Sequence, residues 1–255
     1  MKSKKDGYGY NERLFSGGVR GRFHLARFNW IARELARRRC ASGSVLELGC
    51  FDGKLIEFLP TAPKKYVGYD ANWEGGLDIA AKKWGEHADF VFHEATQPEH
   101  MALADDERFD IAVSMETLEH VPPHLVDGYL RKIAEHLDGY LFVTVPNEKG
   151  IVFLTKWTLK RMLSKDAHAY SFDELMNATL GRMERVRRNE HKGFDYGALV
   201  QQMKKYFDIV EVSGHPFGFL PAQLCFSIGI IAKPKGVTHA APYESEPMPG
   251  AAAKA

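Results

Sequence analysis

The sequence predicts an α/β protein whose sheet is mostly parallel. Three observations support this fold class. Short apolar segments alternate with amphipathic helical patterns, a glycine loop follows the first apolar segment, and an aspartate ends the second. Strict alternation of strand and helix is typical of parallel strands joined by crossover helices. The chain has 255 residues, of which 45% are hydrophobic, and this is enough to build the core of one such domain.

The pattern divides the chain into three parts. Residues 1–43 form an arm and a basic helix, residues 44–232 form the α/β domain, and residues 233–255 form a tail rich in Ala, Pro, Gly and Glu that is predicted to be disordered. Inside the domain, residues 147–194 contain no clear strand and are interpreted as a helical insertion or lid.

The individual elements follow from hydrophobic periodicity and from the Gly and Pro residues that end each run. The last two strands are predicted to pair antiparallel, because the residues between them leave no room for a crossover helix. Strands are predicted over 44–48, 66–69, 90–93, 109–114, 140–145, 207–212 and 224–232, and helices over 21–39, 54–59, 77–84, 122–137, 151–163 and 195–205.

Composition excludes several classes of protein. No apolar run approaches the ~20 residues that a membrane-spanning helix needs, and the polar, basic N-terminus does not resemble a signal peptide. The three widely spaced cysteines form neither a disulfide framework nor a zinc pattern, so we expect a cytoplasmic protein. A net charge of +1 gives no global field that favours nucleic acid.

The most informative stretch is residues 45–53, VLELGCFDG, in which a buried strand runs into a glycine turn and then a helix. Such a turn brings backbone amides close to a ligand. A phosphate-binding P-loop needs four residues between its glycines, whereas three separate Gly49 from Gly53, and Lys54 is followed by Leu55. The spacing of a dinucleotide-binding loop is absent too.

The remaining pattern, Glu47-x-Gly49-x-x-x-Gly53, resembles motif I of the class I S-adenosylmethionine (SAM)-dependent methyltransferases. This chain departs from the motif at its middle glycine, where it has Phe51. The resemblance covers residues 40–232. It implies a Rossmann-like, seven-stranded, mostly parallel sheet with an antiparallel C-terminal strand. A glycine-rich turn in some other α/β protein is the alternative.

The second strand ends in Asp70. A carboxylate at that point can accept both ribose hydroxyls of an adenosyl ligand, because it has two acceptor oxygens; alternatively, Asp70 only caps a helix. With the methyltransferase resemblance, the implied SAM-binding residues are Glu47, Gly49, Cys50, Gly53, Asp70, Ala71, Thr96 and Met115.

Three polar side chains follow the fourth strand. Glu116, Glu119 and His120 stand at positions i, i+3 and i+4, so a helical turn would place them on one face. Two carboxylates and an imidazole suit a divalent cation such as Mg²⁺, Mn²⁺ or Fe²⁺. The alternative is that these residues line the pocket, cap the helix or act as a base.

The Glu-x-x-Glu-His segment is similar to that of the metal-dependent small-RNA 3′-terminal 2′-O-methyltransferases, which carry a later His followed by a basic residue and an aromatic. The ubiquinone-biosynthesis O-methyltransferases have a similar Glu-x-x-Glu-His-Val-Pro segment. Carried over, the resemblance implies Glu116, Glu119, His120 and His191 as metal ligands. Glu116, His120 and His191 are also the candidate catalytic residues, for acid–base work.

This chemistry predicts an oxygen acceptor. SAM carries a good leaving group, so the enzyme mainly aligns the two reactants. A hydroxyl is a poor nucleophile at neutral pH, and either a metal that lowers its pKa or a histidine that takes its proton would activate it.

Two basic stretches bear on the acceptor. Residues 20–39 contain seven arginines against one Glu, and residues 182–192 contain five Arg or Lys against two Glu. They are interpreted either as solvated helix faces or as a surface for an anionic substrate. The apolar and basic helix within residues 149–165 is interpreted as a lid over the pocket or as an interfacial helix that contacts the inner face of a membrane.

The predicted function is therefore SAM-dependent O-methylation of a hydroxylated small-molecule, sugar or lipid-linked acceptor, with or without a metal. Methylation of RNA 3′ ends is the first alternative, although the chain shows no dedicated RNA-recognition module. A SAM-fold scaffold without catalysis is the second, and Phe51 is the feature that favours it.

Overall fold

The computed structural model describes residues 18–40, 43–163, 170–189, 191–215 and 219–236. Residues 1–17, which make up most of the arm predicted over residues 1–20, and residues 237–255, most of the predicted tail, lie outside this range. The basic helix, the α/β domain and nearly all of the insertion lie within it.

Seven strands form a single sheet: β1 (Ser44–Leu48), β2 (Lys65–Asp70), β3 (Phe90–Glu94), β4 (Phe109–Met115), β5 (Leu137–Pro146), β6 (Phe207–His215) and β7 (Ser227–Pro234). Their order is β3-β2-β1-β4-β5-β7-β6. Strands β1 to β5 pair in parallel, and β7 runs antiparallel between β5 and β6. The predicted fold class is confirmed, including its antiparallel C-terminal strand.

The described residues form six α-helices: α1 (Gly18–Arg38), α2 (Gly76–Trp84), α3 (Pro123–Glu135), α4 (Gly150–Leu163), α5 (Phe172–Thr179) and α6 (Tyr196–Met203). No helix within the described ranges is long and apolar enough to cross a membrane.

Three elements differ from the sequence prediction. Residues 54–59, predicted as a helix, form the 3-10 helix Lys54–Phe58 instead, because a segment this short between Gly53 and Pro60 cannot propagate α-helical hydrogen bonds. Strand β7 starts three residues later than predicted, since Ala222–Leu224 forms a 3-10 turn, and it continues to Pro234 in the predicted tail.

Helix α5 was not predicted, although its start signal is local. Ser171 and Glu174 form a capping box, in which the Ser171 hydroxyl accepts from the Glu174 N–H and the Glu174 carboxylate accepts from the Ser171 N–H. The spacing Ser-x-x-Glu is the sequence signature of such a helix start.

The sheet is covered on both faces, because its strands are apolar at successive positions. Helix α1 packs Trp30 and Ile31 against one face, and helices α3 and α6 pack Leu130 and Leu199 against the other. A third, smaller core holds the insertion together through Phe153, Ala178, Met183 and Val186. This layering leaves the carboxyl ends of β1, β2 and β4 together at one edge, where ligand sites form in open α/β sheets.

Candidate active site

The loop after β1 is tied to the end of β2. Gly49 has a φ of 85°, which glycine adopts without steric cost, and its N–H donates to the Tyr69 carbonyl at 2.6 Å. A Cβ at this position would overlap the Thr117 side chain. The close approach of the loop to the segment after β4 therefore requires glycine.

Phe51 stands where the resembling motif usually has a glycine. Its φ of 47° lies in the left-handed region, which is rare for a bulky residue, and its N–H donates to Asp70 Oδ2 at 3.0 Å. The ring lies against Gly76 at the start of α2, where a Cβ would overlap it. A glycine in the next helix thus accommodates the departure, and the loop keeps its contact with Asp70.

Asp70 is held from both sides by backbone amides. Its Oδ2 accepts from Phe51, and its Oδ1 accepts from the Asn72 N–H at 2.7 Å. Each carboxylate oxygen has two lone pairs, so these bonds orient the group without saturating it. The partly buried Asp70 side chain lines a cavity, where it is oriented to accept further hydrogen bonds.

The cavity at this edge has a volume of about 320 Å³, within the range of small-molecule sites. Gly53 does not line it; with a φ of 69° it starts the 3-10 helix, and its backbone lies against Trp84. The other predicted SAM-binding residues do line the cavity: Glu47, Gly49, Cys50, Asp70, Ala71, Thr96 and Met115.

Two ionisable groups at the cavity floor are held uncharged by burial. Burial raises the pKa of Glu47 to about 8, although the carboxylate accepts a hydrogen bond from the Tyr66 hydroxyl. Burial likewise raises the pKa of the Cys50 thiol well above its ordinary value. Because the thiolate is the reactive form of cysteine, Cys50 acts as a wall of the cavity and not as a nucleophile.

Arg27 lines the cavity and was not singled out by the sequence analysis. It projects from α1, and its Nε is buried with no hydrogen-bond partner among the residues that the structure describes. Its charge favours the ionised forms of Glu47 and Glu119. The only sequence signal was the arginine-rich composition of α1, which does not distinguish an inward arginine from the solvated ones.

Glu119, His120 and His191 come together from two loops that are distant in sequence. Their candidate ligand atoms all lie within 4.8 Å of one another. Glu119 Oε1 is 4.0 Å from both His120 Nε2 and His191 Nδ1. The carboxylate is 1% exposed, and within the described ranges neither of its oxygens has a hydrogen-bond partner.

A buried carboxylate without hydrogen bonds is costly unless something neutralises it. Burial, reinforced by the charge of nearby Glu116, raises the pKa of Glu119 well above its usual range. The two flanking imidazoles offer nitrogen atoms, a type of ligand that divalent cations such as Mn²⁺ and Fe²⁺ accept. The group therefore has the donor set of a cation site.

Glu116 does not join this group, in contrast to the predicted set of four ligands. Its backbone has a φ of 50°, and its Oε1 accepts from the Ser227 hydroxyl at 2.9 Å. The side chain lines the cavity, as does His120. The left-handed backbone at Glu116 breaks the continuous helical turn on which the i, i+3, i+4 prediction depended.

The insertion holds His191 in place. Arg188 Nη2 donates to the Glu119 carbonyl at 2.5 Å, and Lys192 Nζ is 2.8 Å from Glu174 Oε2 at the start of α5. Gly193, with a φ of 75°, completes the turn. These contacts tie both sides of the His191 loop, to the segment after β4 on one side and to α5 on the other.

Fold and site together define a class of enzyme: a Rossmann-like sheet with a small-molecule cavity at the carboxyl ends of its first strands. The family described as a methyltransferase domain matches residues 21–206. The chain belongs to this family and is a SAM-dependent methyltransferase. A SAM-dependent methyltransferase from Clostridium acetobutylicum ATCC 824 has a similar structure, with a TM-score of 0.58 and 13% identity; the match covers 89% of this chain and 96% of that one.

Similar sequences carry a more specific name. An enzyme of Hahella chejuensis named ubiquinone biosynthesis O-methyltransferase is 32% identical over 65% of this chain and 71% of its own length. A protein of the same name from Actinobacillus pleuropneumoniae serotype 7 is 29% identical over 62% of this chain and 71% of its own.

Proposed function

We propose that this enzyme methylates a hydroxyl oxygen of a hydroxylated small-molecule or lipid-linked acceptor. The observation that carries the proposal is the group of Glu119, His120 and His191, of which His120 lines the cavity that also contains Asp70. Such a group can activate a hydroxyl, which has to lose a proton to become a good nucleophile. The named O-methyltransferase relatives support the same reaction.

The cavity residues fit SAM. Asp70 is oriented to accept the ribose hydroxyls, and the small side chains of Ala71 and Thr96 leave room for a flat base. The orphaned Nε of Arg27 suits the carboxylate of the methionine half, because the two groups have opposite charge. The Glu47 carboxyl, which lines the same cavity, would accept a hydrogen bond from the ammonium group. When bound, SAM supplies a methyl group on a positively charged sulfur that leaves as a neutral thioether.

Glu119, His120 and His191 would hold a divalent cation such as Mg²⁺, Mn²⁺ or Fe²⁺. The buried carboxylate without hydrogen bonds supports this, because a cation would supply the missing partner. When bound, the metal lowers the pKa of a coordinated hydroxyl. Glu116, fixed by Ser227 at the cavity wall, is placed to accept the proton that the acceptor loses.

The outer surface of the insertion supports a lipid-linked acceptor. Helix α4 exposes the apolar side chain of Met162 beside the basic residues Lys160 and Arg161, and the start of helix α5 exposes Phe172. This combination is typical of helices that lie on anionic membranes. We propose that the insertion meets the membrane surface there; cosedimentation with phosphatidylglycerol vesicles tests it, and equal partition of wild type and Met162→Asp would contradict it.

Calorimetric titration of SAM, and then of Mg²⁺, Mn²⁺ and Fe²⁺ separately, into chelator-treated protein tests the proposal. We expect SAM binding and a metal event that disappears in Glu119→Gln, with exposed Glu99→Gln as the matched control. Wild type without a metal event would refute the cation site and leave His120 or Glu116 as the base.

Methyl transfer is then assayed on catechols, other diols and RNA 3′ ends. Turnover on RNA alone would establish the first alternative, and SAM binding without any turnover would favour the scaffold.

A further inference from the structure

A second cavity lies beside the insertion, apart from the cavity proposed for SAM (the SAM cavity). The second cavity has a volume of about 410 Å³, which is within the range of small-molecule sites. The two cavities share no lining residue, because His120 and Pro122 line the SAM cavity whereas Leu118 and Pro123 line the second one. The proposed methylation gives this second cavity no role.

Buried apolar side chains form most of the wall of the second cavity. Leu118, Phe194 and Leu199 belong to the core at the sheet, whereas Met183 and Val186 belong to the small core of the insertion. Protein interiors are normally packed without gaps of this size. A cavity lined by two hydrophobic cores therefore favours a ligand with an apolar body.

Arg188 is the only cation among the described residues that line this cavity. Its partly buried guanidinium lies 4.8 Å from the centroid of the Phe194 ring and donates through Nη2 to the Glu119 carbonyl at 2.5 Å. Within the described ranges, Arg188 forms no ion pair with a carboxylate. A guanidinium has five N–H donors, and a partly buried charge is costly until it is paired. Arg188 is thus suited to bind an anion.

Two carboxylates also line the cavity, and neither is bonded to Arg188. Asp195 pairs with Lys149 and accepts from the Gly197 N–H at 2.8 Å at the start of α6. Glu184 is exposed. These negative charges disfavour a phosphate dianion, because its second charge would find no further cation in the described lining. A single carboxylate matches the one guanidinium, which binds such a group through two parallel N–H bonds.

We propose that the second cavity binds a small monoanion with an apolar body, such as a medium-chain or aromatic carboxylate. The carboxylate pairs with Arg188, and the apolar body fills the space between the two cores. The inference goes beyond the proposed function, because it involves neither the acceptor nor a metal. Since Arg188 also bonds with the Glu119 carbonyl, the bound carboxylate would help to hold the loop that carries His191.

Calorimetric titration of decanoate into the full chain, with decanol as its uncharged match, tests the site. Both titrations contain S-adenosylhomocysteine, which occupies the SAM cavity and so removes Arg27 as a competing cation. We expect decanoate to bind at least about 10-fold more tightly than decanol, the effect of a hydrogen bond to a charged group. Equal affinities would overturn the proposal, as would acetate binding as tightly as decanoate or decanoate binding that S-adenosylhomocysteine abolishes.

Arg188→Met removes the charge and keeps an unbranched side chain. It should weaken decanoate about 10-fold and leave decanol unchanged. The matched control is Arg185→Met, which removes an exposed arginine of the same basic stretch that does not line the cavity and should change neither affinity. An equal loss of decanoate affinity in the two variants would assign binding to surface charge and overturn the site.

Ala198→Phe tests the cavity without altering Arg188. Ala198 is an exposed residue of α6 that lines the cavity, so a phenyl group there should occupy part of the space and weaken decanoate and decanol alike. Unchanged affinity for both ligands in this variant would place their binding elsewhere. A protein that behaves as expected in these titrations but methylates no hydroxyl would instead count against the proposed function alone.

Discussion

Asp70 combines two roles in one side chain. Its oxygens orient the glycine loop through the Phe51 N–H and the next turn through the Asn72 N–H, and they face the cavity. A family motif identifies such an acid from sequence, but only the structure reveals that it also holds the loop in which the motif departs from its usual glycine.

We expect Asp70→Ala to weaken SAM binding at least about 100-fold, because two hydrogen bonds to a charged group contribute ~1.5–3 kcal/mol each. Calorimetry measures the affinity, and the exposed Asp105→Ala is the control. An affinity within a few-fold of wild type would remove Asp70 from the ribose site.

The Phe51 ring lies against Gly76, and a double-mutant cycle can measure the coupling free energy between these two positions. Gly76→Ala should destabilise the protein by ~1–3 kcal/mol, the typical cost of overpacking, since the new Cβ would overlap the Phe51 ring. The double variant Phe51→Ala/Gly76→Ala should recover most of that loss relative to Phe51→Ala. Urea unfolding of the four proteins gives the coupling free energy, and additive losses would show that the two sites do not interact.

At the scale of elements, the insertion completes the candidate site. It is a helical unit with its own small core, and it delivers His191 to a carboxylate that follows β4. Two of its contacts, from Arg188 to the Glu119 carbonyl and from Lys192 to Glu174, hold the His191 loop. Glu174 therefore has two structural roles: it belongs to the capping box that starts α5, and it pairs with Lys192 beside His191.

Glu174→Gln is expected to weaken metal binding about 10-fold, the magnitude typical of a residue that orients a ligand from outside the coordination sphere. The Lys192 ion pair holds the pKa of Glu174 at about 2, so the carboxylate is charged under assay conditions and glutamine removes that charge. Metal titration compares it with Glu184→Gln, an exposed Glu of the same insertion. SAM affinity should not change in either variant, and equal metal affinity in the two would exclude this role.

At the scale of the whole molecule, helix α1 joins the sheet to the cavity. Trp30 is buried against β7, where a Cβ at Gly229 would overlap its ring, and it stacks on His215 at 5.5 Å between centroids. The same helix supplies Arg27 to the cavity and, four positions later, Ile31 to the core. The packing of helix α1 on the sheet and the shape of the cavity that Arg27 lines are therefore linked.

Burial lowers the pKa of His215 to about 4, from an ordinary value of 6.5. The folded state keeps this imidazole neutral while the unfolded chain protonates it, so stability is complete above pH 6.5 and falls as the pH drops to about 4. The loss should approach ~3 kcal/mol. Urea unfolding from pH 7 to 4 measures it, and His215→Phe, which keeps a ring beside Trp30, should flatten that part of the profile. The same slope in both proteins would assign the pH dependence to other groups.

The fold class, the order of strands and helices, and the glycine loop followed by Asp70 were predictable, because each depends on local periodicity or on residues close in sequence. The short 3-10 helix after Gly53 and helix α5 were missed, the first because its flanking breakers leave too few residues for an α-helix and the second because its capping signal is brief.

The sequence by itself determined that this chain folds as a methyltransferase and where its glycine loop lies. Only the tertiary structure decided that Gly76 makes room for Phe51, that Arg27 faces the cavity, and that His191 meets Glu119 and His120 while Glu116 bonds with Ser227 instead. The physical reason is that these contacts join residues far apart in the chain. Their formation depends on how helices and loops pack on the sheet, and no local pattern of hydrophobicity or charge encodes that packing.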